Sequence, residues 1–188
     1  MKKKSIVKNS INNMIYKGFT ALFPLLTTTY ISRVLLASGV GKVSYANTVV
    51  TYFVTIAALG LPNYGVKAIA QTGNSKDKRS KTFIELITIN FISTVICAVV
   101  YYLVINNVSH FSDRRILFNV MGIMLIMNIF NMDWFYQGIE EYGYIATRSI
   151  IVKIISFFLM LLFVKKPSDY VIYALILCIA TAGNYIFN

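Results

Sequence analysis

The chain has 188 residues, of which 57% are hydrophobic and only 13% are charged. A water-soluble domain of this length has too little interior to bury so much apolar surface, so the composition excludes that class and indicates a membrane protein. The formal net charge is +11. In a soluble protein such a charge would suggest a nucleic-acid partner, but here we expect it to set the orientation in the lipid bilayer.

Long apolar runs separated by short polar connections fill the sequence. A transmembrane helix needs roughly 20 mostly apolar residues. The sequence therefore predicts an all-α integral membrane fold, a bundle of six spans that form a single transmembrane domain over residues 1–188. The predicted spans are about 11–36, 43–66, 83–106, 115–137, 146–164 and 170–188. No connection is long enough to hold a soluble catalytic domain.

The basic residues of the connections predict the orientation. The N-terminal segment MKKKSIVKNS is followed by a long apolar run without a small-residue cleavage site, which favours a retained helix over a signal peptide. With a cytoplasmic N-terminus, the cytoplasmic side carries nine basic connection residues and the opposite side five. Because basic residues stay preferentially inside, we expect a multi-pass protein of the bacterial cytoplasmic (inner) membrane with its N-terminus in the cytoplasm.

Polar residues recur at helical spacing within several spans. In the second span Ser44, Asn47, Thr51 and Thr55 lie on one helix face. Such a face has two readings, since hydroxyl and amide groups either hold membrane helices together or line a wet cavity. Candidate cations for the cavity are Lys17, Arg33, Lys67, Arg148 and Lys153, and candidate polar lining residues are Asn13, Asn47 and Asn184.

Helix-breaking residues occur in the first two spans. Pro24 lies in the first span, and Gly60, Pro62 and Gly65 are close together at the end of the second. Proline removes a backbone hydrogen bond and kinks a helix. Broken helices beside a cavity are typical of transporters, although packing alone also produces kinks.

Motifs for catalysis are missing from the sequence. The stretch SGVGKVS at 38–44 resembles a phosphate-binding loop, but that loop needs glycine at position 36 and Ser or Thr at position 43, which are Leu36 and Val43 here. No nucleophile–base set, paired-carboxylate site or metal spacing is recognisable, and we expect Cys97 and Cys178 to be small apolar fillers. The sequence therefore predicts a protein that is not an enzyme and that has no cofactor and no metal site.

A polar and aromatic cluster, DWFYQ, ends the fourth predicted span at Asp133, Trp134, Tyr136 and Gln137. Trp and Tyr favour the lipid–water interface, which predicts an interface anchor. After Gly138, which should end the helix, Glu140 and Glu141 are expected to face Arg148.

Three segments of the chain have a recognisable pattern: LFPLLTTTYISRVLLASGVGKVSYANTVVTYF (22–53), GLPNYGVKAIA (60–70) and DWFYQGIEEYGYI (133–145). They resemble the Wzx-type polysaccharide flippases of O-antigen, capsule and exopolysaccharide synthesis, within the multidrug/oligosaccharidyl-lipid/polysaccharide exporter superfamily. The resemblance implies translocation of an undecaprenyl-diphosphate-linked glycan across the membrane. It also implies two six-helix bundles that face each other across a cavity, of which this chain would be the N-terminal half.

The chain departs from the pattern of these flippases in one turn. Where they often read Arg-x-Leu-Gly, this chain has Arg33-Val34-Leu35-Leu36, which predicts a less flexible turn. The sequence also ends about where the sixth span should finish, so pairing with a second six-helix half is expected for activity.

Two alternative functions remain open. One is a multidrug or cation antiporter of the same superfamily, which would need deep carboxylates, whereas the deeper charges here are basic. The other is a non-transporting fragment or interaction partner of the polysaccharide polymerase, ligase or chain-length machinery.

Overall fold

The computed structural model describes the backbone of residues 6–186 and the side chains of residues 23–185. Within this part the chain is helical throughout. The α-helices are α1 (Ile6–Ala58), α2 (Leu61–Gln71), α3 (Lys76–Asn107), α4 (Arg115–Met121), α5 (Ile123–Met127), α6 (Asp133–Gly138), α7 (Tyr142–Phe163) and α8 (Tyr170–Ile186). Short 3₁₀ turns lie at Ser109–Arg114, Asn128–Phe130 and Pro167–Asp169.

Helix α1 is interrupted at Leu36, where the backbone takes φ 58° and ψ 174°. We call residues 6–35 the first arm of α1 and residues 37–58 its second arm. Pro24 lies inside the first arm, while the departure from helical geometry is at Leu36. The predicted boundary between the first two spans therefore coincides with this break.

The first arm of α1 packs along α7. The ring centroids of Phe23 and Phe157 are 5.9 Å apart, and the Tyr30 hydroxyl donates to the Val164 carbonyl oxygen at 2.9 Å. Residue numbers rise together along both helices, so the first arm is parallel to α7.

The second arm of α1 packs along α3 in the opposite sense. The Phe53 and Tyr101 ring centroids are 5.2 Å apart, and the Ser93 hydroxyl donates to the Ala57 carbonyl oxygen at 2.5 Å. Here residue numbers rise on one helix as they fall on the other, so the two are antiparallel.

The main apolar core joins the second arm of α1 to α3, α4, α5 and α8. The Tyr101 ring is fully buried there, and its hydroxyl donates to the Phe118 carbonyl oxygen at 2.6 Å. The other buried members of this core are Val43, Ala46, Val50, Ala57, Ile105, Leu117, Phe118, Met121, Leu125, Ala174 and Cys178. Helix α8 therefore lies beside α4 and α5, and it returns antiparallel to α7.

Four helical stretches of the described chain are long and apolar enough to cross a membrane: Phe23–Gln71, Lys76–Asn107, Ser109–Gly138 and Tyr142–Phe163. The all-helical membrane class is confirmed, whereas the count of six spans is not established by length and composition. The first stretch contains the break in α1, and α8 has only 17 residues.

A capped turn connects α7 to α8. The Asp169 carboxylate accepts hydrogen bonds from the backbone N–H groups of Lys165 at 2.9 Å and Lys166 at 3.1 Å. Hydrogen bonds from these donors, that from Lys165 first, lower the pKa of Asp169 below its ordinary value because they favour the ionised form. We call the end of the bundle that contains this turn and Leu36 the Leu36 end.

Candidate functional site

The predicted span 115–137 is not one continuous helix. It consists of α4, α5, a 3₁₀ turn at Asn128–Phe130 and then α6, with Asn131 and Met132 outside helical geometry between the last two. A broken helix inside a membrane leaves backbone carbonyl groups without helical partners, and polar side chains must supply them. Sequence reasoning missed this break because residues 123–132 contain no Gly or Pro.

A buried amide network stabilises the break. The Asn90 side-chain amide donates to the Asn128 carbonyl oxygen at 2.9 Å, and the Asn128 amide donates to Asn90 Oδ1 at 3.3 Å and Thr94 Oγ1 at 3.2 Å. All three residues are at most 4% exposed. Buried polar groups of this kind are retained only when they pair. The signal in the sequence was a lone asparagine within the apolar run of α3.

Asn131 connects the break to α6 and α8. Its side-chain amide donates to the Tyr185 hydroxyl at 3.4 Å, and its Oδ1 accepts from the Asp133 backbone N–H at 3.4 Å. The Trp134 indole N–H donates to the Asn131 carbonyl oxygen at 3.0 Å. Three hydrogen bonds, to Tyr185, Asp133 and Trp134, therefore fix the position of the non-helical residue Asn131.

Asp133 and Arg148 form an ion pair between α6 and α7, with Oδ1 and a guanidinium nitrogen 2.5 Å apart. The Arg148 side chain is 5% exposed and that of Asp133 is 32% exposed. The guanidinium also lies 5.8 Å from the centroid of the Tyr144 ring, which stacks on Tyr136 at 5.0 Å. We call the end of the bundle that contains this pair the Asp133 end.

The structure describes an ion pair of Arg148 with Asp133, and that Glu141, which is half-buried, also faces Arg148 stays a prediction. Helix α6 ends at Gly138 as predicted, and Glu140 then takes a left-handed conformation with an exposed side chain.

Trp134 was predicted to anchor the chain at the lipid–water interface, but it lies inside the protein with 3% of its surface exposed. Its ring packs against Gly65 of α2, where an added Cβ would lie 2.7 Å from the indole, and it lies 5.8 Å from the Phe83 ring of α3. Because residue 65 is a glycine and has no side chain, the indole ring of Trp134 fits against α2. Tyr136 and Gln137 are half-buried beside it.

The predicted cavity cations do not form one cluster. Arg33 is exposed near the Leu36 end, Lys67 is exposed on α2, and Lys153 is half-buried on α7. Arg33 lies one helical turn from Tyr30, whose hydroxyl contacts Val164 at the end of α7. Arg148 precedes Val164 by 16 residues, which is about 24 Å of helix, so Arg33 and Arg148 are far apart. Lys17 and Asn13 lie outside the side chains that the structure describes.

The two other predicted polar residues occupy different surroundings. Asn184 of α8 accepts a hydrogen bond from the Ser149 hydroxyl at 3.3 Å and donates to the Ala180 carbonyl oxygen at 3.0 Å. It therefore ties α7 to α8 near the ion pair. Asn47 is half-buried on the second arm of α1.

The second arm of α1 carries an exposed hydroxyl-rich face. Ser44, Thr48, Thr51 and Thr55 are exposed at steps of four, three and four residues, with the rings of Tyr45 and Tyr52 beside them. We call these six residues the hydroxyl face. The sequence pattern identified Ser44, Thr51 and Thr55 but missed Thr48 and the two tyrosines.

The threonine hydroxyls of this face are oriented by their own helix. Thr48 donates to the Ser44 carbonyl oxygen at 3.0 Å, Thr51 to that of Asn47 at 2.7 Å, and Thr55 to that of Thr51 at 2.8 Å. Each hydroxyl oxygen retains lone pairs for an incoming donor. The face therefore presents a row of hydrogen-bond acceptors.

The exposed faces of α3 and α7 have the opposite chemistry. Most of their exposed residues are large and apolar: Ile92, Val95, Ile96, Val99, Val100 and Leu103 on α3, and Ile151, Ile154, Ile155, Phe158 and Leu162 on α7. Such faces suit lipid, whereas the hydroxyl face suits water, a polar ligand or another helix.

Residues 6–187 match the protein family described as "Polysaccharide biosynthesis protein". The chain belongs to this family. The assignment confirms the resemblance to polysaccharide flippases, and with the apolar helices it makes the chain a multi-pass membrane protein.

One curated relative is a protein of Escherichia coli (strain K12) named "Putative O-antigen transporter", which is 24% identical over 167 residues. The match covers 89% of this chain and 40% of that relative. The chain thus spans about two fifths of the length of the relative that it matches. No solved structure matches the chain.

Proposed function

We propose that this chain takes part in translocating undecaprenyl-diphosphate-linked oligosaccharide repeat units across the cytoplasmic membrane, for cell-surface polysaccharide synthesis. Its family membership and the name of its Escherichia coli relative support a role in polysaccharide export. The observation that carries the proposal is the hydroxyl face on the second arm of α1, which is exposed on an otherwise apolar membrane protein.

Sugars cross hydrocarbon only at a high cost in free energy. An unpaired hydroxyl or amide costs several kcal/mol to bury in an apolar medium, and each sugar carries several of them. A row of hydroxyl acceptors replaces part of the lost hydration, and the rings of Tyr45 and Tyr52 provide flat surfaces beside it. The polyprenyl tail can stay in lipid meanwhile.

The proposed architecture has six spans, because the contacts of α1 support a reversal of direction at Leu36. The first arm runs parallel to α7, whereas the second arm runs antiparallel to α3 and follows α8 away from the Leu36 end. We place the N-terminus in the cytoplasm on the basic-residue count. Residues 1–188 would then form one lobe, which pairs with a second six-helix half across the hydroxyl face.

Cations are proposed to balance the diphosphate. Arg33, Lys67, Lys153 and Lys17 remain candidates for this role, since charge-assisted hydrogen bonds replace the hydration of an anion. Arg148 is already neutralised by Asp133 in the described structure, so it needs a rearrangement before it can bind phosphate. The same pairing disfavours a cation antiporter, because Asp133 has its charge occupied.

The experiment compares threonine-to-valine variants that lose the same local hydrogen bond. Thr51 and Thr55 lie on the hydroxyl face, whereas Thr88 is exposed on the apolar side of α3 and donates to the Ile84 carbonyl oxygen at 2.7 Å. Surface polysaccharide is quantified in a strain that lacks its own flippase and expresses each variant together with a second six-helix half from a flippase of this family.

We expect Thr51→Val with Thr55→Val to lower export about tenfold, because two hydrogen bonds of about 0.5–1.5 kcal/mol each are lost. Thr88→Val should leave export unchanged. Equal export by all variants would remove the hydroxyl face from the pathway, and a chain that supports no export in any form would contradict the proposed function.

A further inference from the structure

We propose that α2 and α6 move together as one rigid gate at the Asp133 end of the bundle, and that the Asp133–Arg148 ion pair is its latch. The proposal concerns how this chain moves. It holds whether or not the transported molecule is a lipid-linked saccharide.

The two helices are fitted to each other through glycine. A Cβ at position 65 of α2 would lie 2.7 Å from the Trp134 ring of α6, and a Cβ at Gly138 of α6 would lie 2.7 Å from the Ile69 side chain of α2. Trp134 and Ile69 are almost fully buried in this contact. Because close-packed surfaces of this kind do not slide freely, α2 and α6 should move as a unit.

Each end of α2 is a backbone joint. Leu59 and Gly60 precede the helix with φ of 48° and 75°, and Gly73 follows it with φ of 55°. These left-handed residues interrupt the helical hydrogen-bond ladder on both sides. Hinges are short segments of this kind, in which a few backbone dihedrals absorb the change of direction.

The ends of α6 are joints as well. Asn131 precedes it in an extended conformation with ψ of 98°, and Glu140 follows it with φ of 61°. Although α6 is far apart from α2 in the sequence, the joints of both helices lie at the same end of the bundle. Because each connection of α2 and α6 contains a non-helical residue, the two helices can move without deforming α3 or α7.

The contacts of the unit with its surroundings are of two kinds. On one side the apolar ring of Phe83 in α3 packs against the Trp134 ring at 5.8 Å and against the Phe135 ring at 5.0 Å. On the other side Asp133 pairs with Arg148 of α7, and Tyr136 stacks on Tyr144.

Of the contacts with α3 and α7, the ion pair with α7 depends most strongly on direction. Its two side chains differ in how far they are exposed to solvent. Arg148 is anchored inside the bundle at 5% exposed, whereas Asp133 on the movable helix is 32% exposed. Movement of the gate would therefore withdraw the acid into water and leave the arginine behind. Such an arrangement holds the closed state until the charge pair is broken.

Hydrogen exchange of the intact chain in lipid nanodiscs tests the proposal. We expect Asp133→Asn to raise the exchange rates of residues 61–71 and 133–138 together by about tenfold, which corresponds to 1.4 kcal/mol. Residues 152–163 of α7 should keep their rates. The charge-swapped variant Asp133→Arg with Arg148→Asp should restore slow exchange in both helices.

Asp113→Asn is the matched control, because Asp113 is an exposed acid at the opposite end of the bundle, within 3.3 Å of the Ser112 hydroxyl. Faster exchange in α6 with none in α2 would overturn the single rigid unit. Unchanged exchange in Asp133→Asn, or equally faster exchange in α7, would overturn the latch. A charge swap that fails to restore slow exchange would do the same.

Discussion

The two ends of the bundle are built differently. At the Asp133 end short helices are separated by joints and held by side chains: an ion pair, an amide network and a tryptophan seated on glycine. At the Leu36 end long helices meet directly, through the Tyr30–Val164 hydrogen bond and the capped turn at Asp169. The comparison indicates that one end can rearrange by exchanging contacts, whereas the other acts as a fixed pivot.

Both ends reverse the chain through residues with positive φ. Gly60 and Gly73 adopt positive φ at the Asp133 end, where glycine pays no steric penalty. At the Leu36 end a leucine takes φ 58°, a conformation that costs a residue with a Cβ about 1–3 kcal/mol. The flippases that the chain resembles often have glycine at this position. Leu59 and Glu140 adopt positive φ of 48° and 61° at the Asp133 end as well, so both ends carry strain of this kind.

The largest expected effect comes from the amide network. Asn90→Leu should lower the free energy of unfolding by about 2–3 kcal/mol, because the buried Asn128 loses two hydrogen bonds to Asn90, one to its carbonyl oxygen and one from its side-chain amide. Asn106→Leu is the control, since Asn106 is exposed near the Leu36 end of the same helix and donates to the Tyr102 carbonyl oxygen within that helix. Denaturant titration in micelles measures both, and equal losses would show that the network does not stabilise the break.

Packing of the two short helices gives the next effect. Gly65→Ala should destabilise the chain by about 1–2 kcal/mol, because its Cβ would overlap the Trp134 ring. Gly143→Ala, where nothing lies within 4 Å, should be neutral or slightly stabilising. Thermal unfolding followed by circular dichroism compares them. A neutral Gly65→Ala would mean that α2 and α6 are loosely packed.

The strained turn predicts a gain. Leu36→Gly should raise the free energy of unfolding by about 1 kcal/mol, since Leu36 is 55% exposed and loses little packing while the positive φ becomes unstrained. Leu26→Gly, at an exposed and regular position of the same helix, should lower it by about 0.5–1 kcal/mol. Loss of stability in both variants would contradict strain at Leu36.

The smallest effect concerns pH. Folding lowers the pKa of Asp169 below its usual value of about 3.9, so its stabilising contribution is present above that value and is lost as the pH falls through the folded pKa. Asp169→Asn should therefore lower the melting temperature slightly at pH 7 and less at pH 3. A difference that grows as the pH falls would have the wrong sign for a capping carboxylate.

The sequence predicted the features that depend on local pattern. Apolar runs identified α3 and α7, the change of pattern after Leu36 marked the break in α1, and helical spacing revealed part of the hydroxyl face. Gly138 ended its helix as expected. These predictions succeed because length, periodicity and helix termination depend on neighbouring residues.

What the sequence missed depends on contacts between distant residues. Asn90 pairs with Asn128 across 38 positions, and nothing local marks the broken helix that they stabilise. Trp134 has the residue type of an interface anchor, but Gly65, far away in the sequence, leaves room to bury it.

The central claim is that the hydroxyl face is wet while the face of α3 at the same depth is in lipid. Phe53 lies beside Tyr101 and the two helices are antiparallel, so Thr51 and Leu103 are at similar depth. Thr51→Cys and Leu103→Cys, each in a background with Cys97 and Cys178 replaced by alanine, are treated in native membranes with a water-soluble maleimide. We predict rapid labelling at position 51 and almost none at position 103. Equal protection of both positions would contradict the account.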